Sequence, residues 1–355
     1  MIPYLEIRDK YSLQTVAMVE PQECWFELSY QDVGECEIYC RASKRNLAAL
    51  QKGMFVSIPN KHFIWVITSV RYTYTAGGAR MISAKGYEAK WLLSKRCILT
   101  PKELNGTITS AVYGLVDSAL GTTASAYRVI RDKGDQKFFV DTNDLLINLN
   151  GVQAPRGNLL EFVNSLLKQY GCGSIITLDN GALKYTVFVG DVKTGSVRFS
   201  QSLDNLLASE YLTDDAEIAT SALVVSTVND VDYTQTHDTG AQGIDRAEIL
   251  VESNISTKYE DASGTEQETT PDSALYKGWL LEEGKNKLAE HTTIQEASAE
   301  IDLANSNYVF DKDFFLGDMV RVQDDYFNFS INAKISKFTI KQDATSYGEE
   351  VEYVV

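Results

Sequence analysis

Histidine is nearly absent from this sequence: three residues, His62, His237 and His291, among 355. None has a second histidine or a cysteine beside it, so no ligand set at zinc spacing can be drawn. The cysteines are few and odd in number: Cys24, Cys36, Cys40, Cys97 and Cys172, with no Cys-x-x-Cys pair. That excludes a disulfide framework, and all five read as reduced, structural thiols. Six prolines are too few for a stalk or a stiff linker. No run of about eighteen apolar residues occurs, so no helical membrane span is expected. The first residues, from Met1-Ile2-Pro3-Tyr4 to Asp9, place charges in a strand-like pattern rather than in a signal peptide. Synthesis in a cytoplasm, with retention there at least until assembly, is the expectation.

Catalytic signatures are missing as well. Neither Gly-x-Ser-x-Gly, nor a phosphate loop, nor a strand-linked Gly-x-Gly-x-x-Gly is present. Asp311 with Asp313, and Asp214 with Asp215, are carboxylate pairs that general acid–base chemistry would require. In so acidic a region their expected state is solvated. Asp230, Asp232 and Asp238 could touch a cation, but the calcium-loop pattern and its glycine are lacking. Arg128, Arg131 and Lys133 are a thin basic cluster without interleaved aromatics, which does not make a single-strand binder. No catalytic residue, cofactor-binding residue or metal ligand is therefore assigned, and the chain is not expected to be an enzyme.

Charge is uneven. Residues 1–203 carry a net +5 and residues 204–355 a net −21, against −16 for the whole. Phosphate contacts need cations, so specific nucleic-acid binding by the acidic half is not expected.

What the sequence has in quantity is β-pattern, and one hairpin is written twice. The first copy runs Leu50-Gln51-Lys52-Gly53-Met54-Phe55-Val56-Ser57-Ile58 and returns through Phe63-Ile64-Trp65-Val66-Ile67 to Val70. The second runs Phe315-Leu316-Gly317-Asp318-Met319-Val320-Arg321-Val322 and returns from Phe327 to Phe338. In each, a glycine precedes a valine by three residues and a second branched aliphatic follows. Val56 and Ile58 share a face, as do Val320 and Val322. The second return strand alternates, with Phe327, Phe329, Ile331, Ala333 and Ile335 on one side, the mark of a half-buried strand.

A chain of this length is expected to hold about two to four domains. The first hundred residues read as strands near 2–8, 12–19, 23–30, 33–41, 53–58, 62–74 and 78–85. Ser43 is a candidate cap for a short helix over 44–51. From 100 to 200 the pattern turns α/β, with apolar residues at helical spacing over 108–119 and 159–170. A short helix is expected at 202–210, loops at 230–243 and 258–272, and a strong helix from Ser273 to His291. The expected fold is a β-rich α+β chain of two similar antiparallel β-barrels: 1–99, then an α/β insertion at 100–200, then 201–355 with a helical insertion near 258–300.

The order of several segments resembles a known family. Trp25-Phe26-Glu27-Leu28 is followed by the Leu-x-x-Gly-x-x-Val-x-Ile hairpin, then by Gly86-Tyr87-Glu88-Ala89-Lys90-Trp91-Leu92-Leu93-Ser94-Lys95-Arg96. Far downstream, Gly284 to Leu288 precedes Phe314-Phe315-Leu316-Gly317-Asp318-Met319-Val320-Arg321-Val322. This order is similar to that of siphophage tail-hub proteins, also known as the N-terminal regions of tail-associated lysins, and to the baseplate hub of contractile-tailed phages. The resemblance spans nearly the whole chain. It implies a virion structural protein at the tail tip that forms a homotrimeric ring with two barrels per chain. Implied partners are the distal tail or tube protein, the tape-measure protein and receptor-binding or fibre proteins, with DNA passing through the lumen. For such a ring, Asp318, Asp324 and Asp325 are expected to face the lumen as part of an acidic, DNA-repelling wall. The alternative reading is a monomeric adhesion or glycan-binding β-protein that uses its 19 tyrosines as a sugar platform.

Overall fold

The computed structural model describes residues 2–354 except 75–77, 79, 207, 262–263, 293, 302–306, 325 and 327–328. At 208–213, 294–301, 329 and 354 it describes the backbone alone. Strands drawn from both ends of the chain build one 13-stranded sheet. Its path starts at Ala208–Asp214 and passes through Ile294–Ile301, Tyr347–Val354 and Phe329–Gln342. There it crosses to the N-terminal part: Glu23–Ser29, Glu35–Arg41, Arg80–Glu88, Ile64–Tyr74, Phe55–Ser57, Leu5–Arg8 and Thr15–Val19. Met319–Asp324 branches from Phe329–Gln342 and takes Arg198–Ser200 as a parallel neighbour. The two ends of the path do not pair with each other. Among the described residues no sheet closes into a barrel, so the expected pair of barrels is a continuous open sheet in the single chain.

One hydrophobic core runs beneath this sheet. Phe26, Trp65 and Val56 from the N-terminal part share it with Val320, Phe338 and Tyr353. The Phe310 ring stacks on Phe338 across it. A second core belongs to the insertion, where helices Ile108–Leu120 and Leu159–Gln169 cover strands Gly173–Asp179 and Ala182–Phe188. Both helices start on side-chain caps, Thr107 and Asn158, which accept backbone N–H groups that a first turn leaves unpaired. Phe55, Ile64 and Val66 from the back of the N-terminal hairpin join this second core. The Ile64–Ile67 segment is thus buried on both faces, which accounts for its uninterrupted apolar run.

A third, smaller core lies where loops were expected. Residues 230–243 contain the strand Val231–Asp238, which returns antiparallel along Ser221–Val228. Asn229 and Asp230 make the two-residue turn with φ +52° and +62°, both in the left-handed region that such a hairpin demands. His237 therefore stands on a strand. The 258–272 stretch likewise holds a small hairpin, Lys258–Glu260 with Glu266–Glu268. The expected helix is present as Ala274–Glu290; Ser273 caps it, and it packs Tyr276, Trp279 and Leu280 against this sheet, while Leu281 is exposed. The short helix expected at 202–210 is absent: a single turn at Gln201–Leu203 ends on Asp204 with φ +51°, and Ala208–Asp214 is a strand.

Candidate assembly surface

The duplicated hairpin is a duplication of backbone geometry. Gly53 has φ +86° and donates its N–H to the Ile67 carbonyl at 2.7 Å; Gly317 has φ +79° and donates to the Ile335 carbonyl at 2.7 Å. In return, Ile67 donates to Met54 at 2.9 Å and Ile335 to Asp318 at 3.0 Å. Val56 stands opposite Trp65, and Val320 opposite Ala333. Past each isoleucine the return strand carries a bulge, at Ile67/Ser69 and at Ile335/Lys337. An extra residue reverses which side chains face inward. In the second copy the buried set passes from Ala333 and Ile335 to Phe338 and Ile340. The simple alternation read from the sequence ends at that bulge. Phe327 and Asn328 lie outside the described residues.

Tyr30 holds the two copies and the insertion together. Its amide donates to Ser336 at 2.8 Å and its hydroxyl to the Gly171 carbonyl at 2.8 Å. A Cβ on Gly173 or Gly317 would lie 2.1 or 2.4 Å from its ring, so both positions require glycine. Nearby, Lys90 is fully buried: its Nζ donates to Ser29 at 2.6 Å and Ser174 at 3.2 Å and pairs with Glu88 at 2.9 Å. Burial pushes the Glu88 carboxyl above its ordinary range, opposed by Lys90 and by the Ser29 amide. The segment Gly86 to Arg96 is thus a polar clip between the main sheet and the insertion.

The acids expected to line a lumen are occupied internally. Asp318 is 3% exposed, pairs with Lys193 at 3.0 Å and accepts the amides of Asp191 and Phe315. Asp324 is equally buried and accepts from Gln201 and the Tyr326 amide. A carboxylate that satisfies buried N–H groups cannot also present charge to a channel. Asp325 lies outside the described residues.

The remaining candidates do not converge. Asp313 accepts the Val309 amide, and Asp311, at φ +71°, has its carboxyl raised by burial, with His62 and Lys61 opposing. Asp214 and Asp215 are exposed. Asp238 pairs with Arg246 at 2.7 Å and Asp232 accepts from Thr227, so no shared pocket forms with Asp230. Among the described residues no group of three or more metal-ligating side chains occurs. Arg128 spends its guanidinium on the Cys97 carbonyl at 2.8 Å. His291 closes its helix, its Nδ1 3.1 Å from the Glu217 carbonyl oxygen. All five cysteines are free; Cys97 is exposed, while burial pushes Cys24 up to about 12 and Cys40 up to about 11. The exposed tyrosines that a sugar platform needs are scattered: Tyr72 and Tyr74 share a strand, while Tyr11, Tyr127 and Tyr326 sit on separate segments. No described helix is long and apolar enough to cross a membrane.

The geometry that remains distinctive is a set of strand edges. Among the described residues Ala208–Asp214 pairs only with Ile294–Ile301. The outer edge of Ile64–Tyr74 is covered by Phe55–Ser57 along its first residues and, among the described residues, uncovered from Ser69 onward. Tyr72 and Tyr74 are 53% and 70% exposed there. Uncovered edges of this length are what natural proteins place at contacts with another chain or else blunt.

A family model described as Siphovirus ReqiPepy6 Gp37-like protein matches residues 4–354. No curated protein matches the chain. Its fold is similar to that of the tail protein from Neisseria meningitidis MC58, with 11% identity, a TM-score of 0.59 and coverage of 99% of this chain and 96% of that one. It is also similar to the 43 kDa tail protein of prophage MuSo2 from Shewanella oneidensis, with 12% identity, a TM-score of 0.56 and coverage of 99% and 98%.

Proposed function

Because the chain belongs to the siphovirus ReqiPepy6 Gp37-like family and shares its fold with phage and prophage tail proteins, we propose that it is the structural hub of a tail tip. In this reading it forms a homotrimeric ring that joins the tail tube or distal tail protein to the receptor-binding apparatus. The tape-measure protein would end at this ring and DNA would pass through it without specific contacts. Residues 1–99 and 201–355 are the two tube-type β-units of each chain. Residues 100–200 are the inserted α/β unit, and within the segment near 258–300 the helix Ala274–Glu290 is the insertion, ahead of the second β-unit's own strand Ile294–Ile301.

The observation that carries this reading is the duplication. Gly53 and Gly317 share one positive-φ position, one hydrogen bond and one downstream bulge. A chain with two equivalent β-units can match a six-fold tube with three copies. The reading assigns no catalysis.

Particle composition tests it. Antibodies against the chain should label the tips of assembled tails, and a deletion should yield tails without a tip structure. A chain absent from purified particles would refute the hub role. Purified protein incubated with peptidoglycan should leave it intact; turnover lost on changing one carboxylate to Ala would overturn the non-enzymatic assignment.

A further inference from the structure

We propose that copies of this chain join by strand addition: Ala208–Asp214 of one copy pairs antiparallel with the Ser69–Tyr74 edge of the next, with Thr73 opposite Glu210. The copy number of three rests on the hub reading above. The edges and the register come from the fold of this chain.

The two repeats correspond strand for strand. Phe55–Ser57, Ile64–Tyr74, Arg80–Glu88, Glu35–Arg41 and Glu23–Ser29 follow one another in the sheet. Met319–Asp324, Phe329–Gln342, Tyr347–Val354, Ile294–Ile301 and Ala208–Asp214 follow in the same order, every pair antiparallel. Superposed on their bulges, Ile67 corresponds to Ile335, Tyr72 to Ile340 and Thr73 to Lys341. Carried across the ladders, Glu23–Ser29 of the first repeat corresponds to Ala208–Asp214 of the second, with Trp25 matched to Glu210.

Within the chain, the first repeat's Glu23–Ser29 covers the second repeat's return strand: Phe338 faces Leu28, Ile340 faces Phe26 and Lys341 faces Trp25. The reciprocal contact is unmade. Its two halves are the Ser69–Tyr74 edge and Ala208–Asp214, whose outer edge has no partner among the described residues. The consequence shows in exposure. Ile340 and Gln342 are 2% and 6% exposed under their covering strand, whereas the corresponding Tyr72 and Tyr74 are 53% and 70% exposed.

One chain cannot make the reciprocal contact with itself while its own seam is closed, because the two free edges lie at separate places along one open sheet. A second copy can, and the contact is then heterologous, each copy offering a different edge on each side. Repeating the in-chain seam between chains would make successive β-units equivalent around a ring. Charge agrees with the register: Arg71 falls opposite Leu212, between the acidic positions Glu210 and Asp214.

Cysteine trapping reads the register directly. In the in-chain seam the Tyr30 amide bonds to its opposite residue Ser336, which makes Trp25 and Lys341 a non-hydrogen-bonded pair. Thr73 and Glu210 inherit that spacing, within disulfide reach. In a Cys97→Ser background, Thr73→Cys with Glu210→Cys should give covalent dimers and trimers on oxidation. Thr73→Cys with Tyr211→Cys, on opposite faces, should not. Arg71→Glu should weaken self-association about tenfold, and adding Glu210→Arg should restore it. A native trimer that is not trapped by the first pair overturns the strand pairing and leaves the hub reading standing. A chain monomeric at about 100 µM, where micromolar contacts are filled, overturns the pairing as well. Absence from tail tips would instead defeat the hub reading even if the disulfide forms.

Discussion

Gly53 and Gly317 occupy one backbone position in two repeats, and their surroundings differ in a way that sets different costs for the same substitution. Both hold a positive φ and both donate to an isoleucine carbonyl at 2.7 Å. A Cβ on Gly53 would meet only the Lys10 side chain at 3.6 Å, whereas one on Gly317 would lie 2.4 Å from the Tyr30 ring. Gly53→Ala should cost about 1–2 kcal/mol, the left-handed penalty alone. Gly317→Ala should cost more than about 3 kcal/mol, because the Tyr30 ring must also move. Urea midpoints of the two variants decide it, and equal losses would contradict the packing argument.

The buried Glu88–Lys90 pair gives a second prediction. Lys90→Met leaves the Glu88 carboxylate buried without its cation and should destabilise by about 3–5 kcal/mol. Adding Glu88→Gln should recover part of the loss, since the amide oxygen can still accept from Ser29. The sign of the pH dependence follows. A carboxyl raised in the folded state is most favourable below its unfolded pKa and loses that contribution as pH rises through the folded value. The deficit of Lys90→Met relative to the native chain should therefore grow between pH 4 and pH 7. Denaturation curves at the two pH values measure it, and a deficit that shrinks would show that Glu88 is not the group responsible.

The Gly-x-x-Val-x-Val/Ile spacing was enough to pair Val56 with Val320, and the cap at Ser43 was legible because its side chain acts on its own helix. What sequence could not supply is long-range. Nothing local to Phe338 announces that it will pair with Leu28, yet that seam merges the two repeats into one sheet. The bulges escaped because alternation predicts its own continuation. The hairpin at Asn229-Asp230 was missed for another reason: Val231–Asp238 is polar and half exposed, so it carries little apolar pattern, and its signal lay in the two turn residues. Asp318 looked like surface charge because its partners, Lys193 and the Asp191 amide, come from a distant part of the chain.

Acid should weaken the last turn of the main sheet. The Asp343 carboxylate accepts the amides of Thr345 and Ser346, both at 2.7 Å, and their hydroxyls at 2.9 and 2.8 Å. These bonds hold its carboxyl well below the usual carboxylate range. A depressed folded pKa contributes stability above the unfolded value, near 4 for Asp, and that contribution is lost as pH falls through the folded value. Asp343→Ala should therefore flatten the acid limb of the stability profile below about pH 4 and lower stability at neutral pH. An unchanged acid limb in the variant would assign that pH dependence to other carboxylates.

Tyr30 offers the sharpest separation of packing from hydrogen bonding. Its hydroxyl reaches the Gly171 carbonyl at 2.8 Å, at the turn where the Leu159–Gln169 helix gives way to Gly173–Asp179. Its ring fills the space that Gly173 and Gly317 leave open. Tyr30→Phe keeps the ring and removes the donor, so it should cost about 1 kcal/mol. Tyr30→Ala opens a cavity between the insertion and both repeats and should cost about 3–5 kcal/mol. The location of the damage is as informative as its size. If the ring is the joint between insertion and sheet, hydrogen exchange in Tyr30→Ala should speed up at Gly173–Asp179 and around Gly317, and stay near native in the Ser221–Val228 hairpin, whose core is separate. Uniform acceleration across all three regions would mean that the chain unfolds as one unit and that Tyr30 contributes general stability rather than a local joint.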